Sequence, residues 1–389
     1  MRSAARQRPL GDARDDRSPL RSFVTAAPDT LLVSSVLTLV AIGMIMIYSA
    51  SSAQAYSDYH DPAYYFKRQL IWLVVGGIAA FLAYRMDYHA LRKAAPYLLL
   101  ASFVGLAAVL VPHVGIVVNG ARRWIGASFV TLQPSEFAKL GSVIYLAAML
   151  TARGDRITQF TKGLFPLLIP PLLLALLVLR EPDMGTASLL VMVAFAMFFA
   201  AGARIPHLLG TILVILPPVA FTVLTSSYRR ARVLAFIDPW KDPQNTGFHI
   251  VQSLLALGSG GLLGAGLGAS RAKFFYLPEQ YTDFIFSIIG EELGLIGSLF
   301  VVLLFVVFAY RAIRIAIAAP DRFGFFLVVG CTALIVIQAF VNIGVVTSSW
   351  PVTGVPLPFI SFGGSSLIVN LVCFALIANV GRFRRVNAR

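Results

Sequence analysis

The chain of 389 residues is too apolar for a water-soluble protein, since 58% of its residues are hydrophobic and 13% are charged, against about 45–50% and about 25% in soluble domains. This composition excludes a soluble enzyme, a secreted disulfide scaffold and a disordered polymer, and it predicts a polytopic membrane protein. The formal net charge of +14 is better explained by orientation in a bilayer than by nucleic acid, and we expect no nucleic-acid partner.

The N-terminal segment, residues 1–29, carries six arginines together with Asp and Pro, and it has no apolar run. A signal peptide needs such a run. We therefore predict a disordered basic tail, whose simplest role is contact with anionic lipid.

Apolar runs long enough to cross about 30 Å of hydrocarbon occur ten times along the chain. They lie at residues 30–50, 68–86, 94–112, 134–152, 163–179, 184–203, 206–225, 282–310, 322–346 and 362–382. The sequence thus predicts an all-α integral membrane protein with ten transmembrane helices, spanning residues 30–382. A long extracytoplasmic loop, 226–281, separates helices seven and eight, and residues 383–389 form a short C-terminal tail.

The distribution of Lys and Arg predicts the orientation of these helices. An even number of spans places both termini on one side, and most basic residues fall on that side once the long loop is set apart. Because cytoplasmic loops are enriched in Lys and Arg, both termini are predicted to be cytoplasmic.

The first polar segment at the predicted outer face runs from residue 119 into the fourth span. It contains Arg123, Gln133, Glu136 and Lys139. Glu136 and Lys139 are three residues apart and can pair on one helix face. Either the two form an internal salt bridge, or Arg123 and Lys139 form a cationic lining that faces an anionic headgroup.

A second polar segment is the short turn at 180–185. Asp183 precedes the sixth span, where a carboxylate makes a good N-cap. We favour this capping role over contact with metal or substrate.

The third and richest polar segment is the long loop and the start of the eighth span. Glu279 precedes Thr282 and Asp283, which places Asp283 at the outer end of a long apolar helix. Ser287 lies one turn further along the same face, and Glu291 and Glu292 follow, where pairing with polar groups of the bundle is the favoured role. The glycine-rich stretch at 258–268 is interpreted as a flexible or re-entrant loop, because a dinucleotide fingerprint requires a βαβ context.

These segments together resemble the SEDS family, the polytopic proteins of bacterial cell-wall assembly that include FtsW, RodA and SpoVE. The most specific matches are Leu277-Pro-Glu, Thr282-Asp-Phe-Ile-Phe and Pro358-Phe-Ile-Ser-Phe-Gly-Gly-Ser-Ser. The matching segments are 119–125, 133–136, 181–187, 238–268, 277–294 and 350–366. The stretches 252–258, 275–279 and 359–366 are similar to the FtsW/SpoVE branch. Thr353 departs from the proteobacterial FtsW pattern, which tends to have Lys there, and the stretch 354–358 resembles RodA.

The resemblance implies polymerisation of lipid II into glycan strands at the outer face of the bacterial cytoplasmic membrane, with release of undecaprenyl diphosphate. It implies that Asp283 is the catalytic carboxylate. It further implies an outer cavity with polar members at Arg123, Gln133, Glu136, Lys139 and Glu279, to which we add Ser287 as a candidate contact.

Such a cavity suits an inverting glycosyl transfer. The acceptor hydroxyl is a weak nucleophile, so Asp283 is expected to act as general base. Arg123 and Lys139 can neutralise the leaving diphosphate. A divalent cation, Mg²⁺ or Mn²⁺, is the expected cofactor, because hard oxygen ligands favour these ions.

Several alternatives remain at this point. Septal synthesis in cell division is favoured over an elongation role. A lipid II flippase is the rival activity, although transporter sites usually lie near the bilayer midplane, and a scaffold that only recruits a synthase is the third. The resemblance also implies a class B penicillin-binding protein as partner, together with other divisome or elongasome membrane proteins.

Overall fold

The computed structural model describes residues 28–383, except 119, 128, 129 and 275. The predicted basic tail up to residue 27, the final residues 384–389 and Asn119 of the segment 119–125 lie outside the described residues.

Helices dominate the described part of the chain. The α-helices, in chain order, are α1 (Thr30–Tyr59), α2 (Tyr64–Arg85), α3 (His89–Leu110), α4 (Pro134–Arg153), α5 (Phe165–Arg180), α6 (Met184–Ala200), α7 (Ile205–Thr225), α8 (Ser227–Ile237), α9 (Phe248–Ser259), α10 (Ile285–Ile317), α11 (Arg322–Val346) and α12 (Gly364–Arg382). A 3₁₀ turn at Gly154–Thr158 and a π turn at Phe160–Leu164 lead into α5, and a second 3₁₀ turn at Pro239–Lys241 follows α8.

Each of the ten predicted spans coincides with one of these helices, so the prediction of an all-α membrane bundle is confirmed. Eight candidate spans in the described chain are long and apolar enough to cross a membrane. The other two are α4, whose 20 residues include Glu136, Lys139 and Arg153, and α6, which has 17 residues. The number of ten membrane crossings stays a prediction.

A small antiparallel sheet between α3 and α4 was not predicted. Its strands are β1 (Gly115–Val118), β2 (Ala121–Ala127) and β3 (Val130–Leu132), in the order β1-β2-β3. Gly115 lies opposite Ile125, and Ile125 lies opposite Leu132. β1 and β3 have only four and three residues, and the seven residues of β2 do not alternate strictly between apolar and polar, so they give no clear strand signal. The sheet fixes the position of Arg123 at one end of the bundle.

The interior of the bundle is built around α11 and α12. Within the most apolar stretch of each helix, 67% of the residues of α11 and 83% of those of α12 are buried, whereas only 11% are buried in α7. The close approach of α2 and α12 depends on Gly364, since a Cβ atom there would lie 2.4 Å from the ring of Trp72. Together, α11 and α12 form the inner wall on which the site is assembled.

Helix α10 is broken at Gly294, where the backbone has φ of 68°. The glycine-rich stretch pairs with the break: the amides of Ala265 and Gly266 donate to the carbonyls of Glu291 and Glu292 at 2.9 and 3.0 Å. On the other side of the break, the amide of Leu295 donates to the carbonyl of Gly261 at 2.9 Å. Non-helical backbone at membrane depth is tolerated where protein covers it, and the loop provides that cover.

Candidate functional site

A polar cavity of about 350 Å³ lies at one end of the bundle. Segments from four of the five connections predicted to face outward line it, together with the start of α2. The lining residues are Arg68, Trp72, Ala121, Arg123, Trp124, Thr131, Gln133, Asp183, Arg232, Glu279, Thr282, Asp283, Thr353, Gly354, Pro356, Phe362, Gly363, Gly364, Ser365 and Ser366. Of the predicted site residues, Asp283, Arg123, Gln133 and Glu279 therefore meet in one cavity.

Asp283 lies in a turn just before α10, and not in the first turn of the helix as the hydropathy pattern indicated. The carbonyl of Glu279 accepts from the amides of Thr282 and Phe284, each at 3.2 Å, which closes the turn. The side chain of Asn342 on α11 donates to the carbonyl of Asp283 at 2.8 Å. Ser361 donates to the carbonyl of Thr282 at 2.5 Å. The turn is thus held from two sides.

The surroundings of Asp283 raise the pKa of its carboxyl group. Burial, then the nearby carboxylate of Glu279, raises its pKa from 3.8 to about 7. Asp183 acts in the same direction, while Arg232 and Arg123 oppose the rise. A general base works best when its pKa lies near the working pH, and Asp283 meets this condition.

Arg123 is directed toward the cavity by the turn between α5 and α6. Its guanidinium donates to the carbonyls of Glu181 at 2.9 Å and Pro182 at 2.6 Å. Asp183 caps α6, accepting from the amide of Thr186 at 2.9 Å, which agrees with the predicted capping role. Asp183 also lines the cavity, whereas its contact with metal or substrate stays a prediction.

Glu181 is a buried acid beside this turn. It is fully buried, and neither carboxyl oxygen has a hydrogen-bond partner in the described chain. Burial and the charge of Asp183 raise its pKa to about 8, against the opposing effect of Arg123. A buried acid without partners avoids the cost of an unpaired charge by staying protonated.

Glu136 and Lys139 pair beneath the cavity and do not line it. Their side chains are 2.9 Å apart and almost completely buried. Lys139 also donates to Gln338 at 2.9 Å, and Gln338 donates to the carbonyl of Pro356 at 2.9 Å. Since Pro356 lines the cavity, the pair supports the cavity floor, which corresponds to the internal salt bridge among the two arrangements considered.

Ser287 and the two glutamates beyond it face the protein interior. Ser287 and Ser253 lie 2.8 Å apart. Glu292 accepts from Ser49 on α1 at 2.6 and 2.8 Å, and Glu291 accepts from the amide of Arg271 at 2.8 Å. Both glutamates therefore bond to polar groups of the bundle and its loop, and Ser287 is not among the residues that line the cavity.

Arg68 and Arg232 were not predicted as site residues, although both line the cavity. Arg68 lies at the start of α2, and Arg232 lies on α8, where it also donates to the carbonyl of Val352 at 3.2 Å. Basic residues on the predicted outer side run against the usual charge bias. That departure is the signal that could have identified them.

The described residues fit a divalent cation only in part. They contain no group of three or more His, Cys, Asp or Glu side chains arranged to hold a metal. Asp183 is engaged by the helix cap, which leaves Glu279 and Asp283 as the other carboxylates of the cavity. Mg²⁺ is commonly bound by one or two carboxylates together with substrate phosphates, so a substrate diphosphate would have to complete the shell.

Sequence comparison identifies relatives over nearly the whole chain. The profile of the FtsW/RodA/SpoVE family, described as "Cell cycle protein", matches residues 29–386. Stage V sporulation protein E of Bacillus subtilis is 45% identical over 359 residues, 92% of this chain and 98% of that protein. A probable peptidoglycan glycosyltransferase FtsW of Trichlorobacter lovleyi is 43% identical over 360 residues, 92% of this chain and 94% of that protein.

Solved structures match over a similar extent. A chain from a peptidoglycan synthase complex, described as coordinating polymerization and crosslinking, has a TM-score of 0.75 and 32% identity, covering 92% of this chain and 98% of that one. The rod shape determining protein RodA of Thermus thermophilus has a TM-score of 0.68 and 29% identity, covering 93% of this chain and 99% of that one.

Proposed function

The chain belongs to the FtsW/RodA/SpoVE family of cell cycle proteins, and on this premise we propose that it is a peptidoglycan glycosyltransferase. Its substrate is lipid II, its product is a glycan strand, and it releases undecaprenyl diphosphate. The observation that carries this proposal is the cavity in which Asp283 lies together with Arg68, Arg123 and Arg232. A carboxylate able to act as base, close to three guanidinium groups, suits a transfer from a sugar diphosphate.

The proposed reaction is an inverting glycosyl transfer. The carboxylate of Asp283 removes the proton from the acceptor hydroxyl as its oxygen bonds to the anomeric carbon of the donor. The bond from that carbon to the diphosphate oxygen breaks, so the α linkage becomes β. The arginines stabilise the charge that develops on the departing diphosphate. Because a diphosphate leaves readily once neutralised, a second catalytic carboxylate is not required.

We also propose a divalent cation, Mg²⁺ or Mn²⁺, as cofactor. Glu279 is the residue that would hold it, together with oxygens of the substrate diphosphate, and Asp283 would stay free to act as the base. The ion would supply additional positive charge at the leaving group. Loss of polymerisation after chelation with EDTA, restored by Mg²⁺ or Mn²⁺, is the expected result.

The decisive experiment measures polymerisation of labelled lipid II by the purified protein. Asp283→Asn keeps the size of the side chain and removes the base, so we expect loss of polymer. Asp242→Asn is the matched control, since Asp242 belongs to the same outer loop but does not line the cavity. Full activity of Asp283→Asn would refute the general-base role. Transport of lipid II across vesicles without polymer would favour the flippase.

Partner and location complete the proposal. The solved relative acts in a peptidoglycan synthase complex, and we propose a class B penicillin-binding protein as the transpeptidase partner of this chain, within the divisome. Co-purification with the division or the elongation transpeptidase distinguishes the two roles.

The protein is a multi-pass membrane protein. We propose that it lies in the bacterial cytoplasmic membrane with both termini in the cytoplasm. Reporter fusions at each end test this orientation.

A further inference from the structure

A group of five aromatic rings lies beside the cavity, where α1 ends and α2 begins. We call it the aromatic platform: Tyr59, Tyr64, Tyr65, Tyr281 and Phe362. Tyr59 and Tyr64 stack face to face, with ring centroids 3.8 Å apart and planes inclined by 11°. Tyr65 contacts Tyr64 at 5.4 Å, Tyr281 at 4.4 Å and Phe362 at 5.3 Å. The five rings form one continuous group.

The platform begins at the wall of the cavity. Phe362 and Arg68 both line the cavity, and the guanidinium of Arg68 lies 5.8 Å from the ring centroid of Tyr64. The amide of Phe362 donates to the carbonyl of Tyr281 at 2.9 Å, two residues before Asp283. A chain that leaves the cavity on this side would therefore meet the platform first.

The rings of the platform differ in exposure. Tyr65 and Tyr281 are buried and form its base, whereas Tyr59 is 47% exposed and Tyr64 is partly exposed. The neighbouring surface is polar, since Asp58 and His60 are exposed. An aromatic face surrounded by polar groups is suited to a ligand that combines C–H faces with hydroxyl groups.

Sugars have this character. The face of an aromatic ring carries partial negative charge, which attracts the weakly positive C–H groups on the face of a pyranose. We propose that the aromatic platform binds the nascent glycan strand, with sugar rings against Tyr59 and Tyr64. The choice of ligand rests on the proposed function, because a polymerase must guide a growing strand of β-linked N-acetyl sugars away from its reacting end.

The competing explanation is a membrane-interface belt, in which Tyr residues contact lipid headgroups. The chain offers a matched control for it. Tyr56 lies one turn earlier on α1 and is 62% exposed, but its ring contacts His60 at 6.2 Å and lies outside the platform. A belt would use Tyr56 and Tyr59 alike, whereas a glycan site would use Tyr59.

The first experiment measures the strand length of the polymer made from lipid II. We expect Tyr59→Ala and Tyr64→Ala to shorten the mean strand about fivefold, the scale of one lost aromatic contact. Tyr59→Phe keeps the ring and should keep long strands, and Tyr56→Ala should match the wild type. Unchanged length in both platform variants, or equal shortening by Tyr56→Ala, would overturn the inference.

The second experiment does not depend on activity. Titration of the purified protein with chitohexaose, a β-linked N-acetylglucosamine hexamer, should show binding that Tyr59→Ala weakens about fivefold and Tyr56→Ala leaves intact. Absence of binding to the wild type, or binding unaffected by Tyr59→Ala, would refute the platform. If the wild type binds chitohexaose but makes no polymer, the proposed function fails and the platform stands.

Discussion

The pH dependence of polymerisation provides a direct test of the charge arrangement around Asp283. Because burial and Glu279 raise the pKa of Asp283 to about 7, the base is lost by protonation as the pH falls through that value. At pH 6 about a tenth of the wild-type protein would carry an ionised base. Activity should therefore rise steeply between about pH 6 and pH 8.

Two substitutions should move this acidic limb in opposite directions. Glu279→Gln removes the repelling carboxylate, and we expect the pKa of Asp283 to fall by about one unit. About half of the base would then be ionised at pH 6, so activity relative to its own plateau should be about fivefold higher than in the wild type. Arg232→Gln removes a positive charge that favours the ionised carboxylate of Asp283. It should therefore raise the pKa of Asp283 and shift the acidic limb to higher pH.

The assay is kcat/KM for lipid II across this pH range, with each variant normalised to its plateau, because either substitution can also change substrate binding. The position of the limb reports the pKa of the free enzyme. An unchanged limb in both variants, or shifts of the same sign, would refute the assignment of Asp283 as the titrating base.

The remaining predictions concern the supports of the site. Lys139→Met leaves Glu136 buried without its partner and should lower the free energy of unfolding by about 3–5 kcal/mol. In thermal denaturation, the double variant with Glu136→Gln should recover much of this loss. A double variant as unstable as Lys139→Met would argue against the pair. Arg123→Lys loses the two carbonyl contacts that orient the guanidinium, so we expect a fall in kcat/KM at an unchanged melting temperature, whereas a matching loss of stability would indicate a structural role. Gly294→Ala places a Cβ atom 2.4 Å from the backbone of the glycine-rich loop and should lower the melting temperature in detergent. Gly77→Ala is the control, because Gly77 has open space around it, and it should leave the melting temperature unchanged. Equal melting temperatures for the two variants would contradict the packing of the loop.

Hydropathy predicted the helical bundle well, because a membrane span must be long and apolar whatever its neighbours are. Hydropathy also indicated the position of Asp283, directly before a long apolar run, whereas its catalytic role was predicted from the family resemblance. The glycine-rich stretch was predicted to be a flexible or re-entrant loop, but its pairing with the backbone around Gly294 depends on contacts that no local pattern encodes.

The composition of the cavity could be predicted only in part, because the depth of a side chain and the direction in which it points depend on tertiary structure. Lys139 and Arg123 look equivalent as cations of one segment, yet the helix rotates Lys139 under the floor and the sheet directs Arg123 into the cavity. Arg232 lies on α8, a helix inside the segment predicted as a long loop, so no pattern indicated that it approaches the site. The stacked rings of Tyr59 and Tyr64 follow from the turn between two helices, which the sequence does not specify.

The break in α10 also bears on how the protein is made. A helix interrupted at Gly294 exposes amides and carbonyls that lipid cannot satisfy, so it is a poor candidate for insertion by itself. The segment that pairs with it, residues 261–266, precedes it in the chain and is synthesised first. We therefore expect the loop and the helix to enter the bilayer together, already paired. Correct membrane insertion would then depend on the same glycines that let the loop pack against the helix in the folded structure.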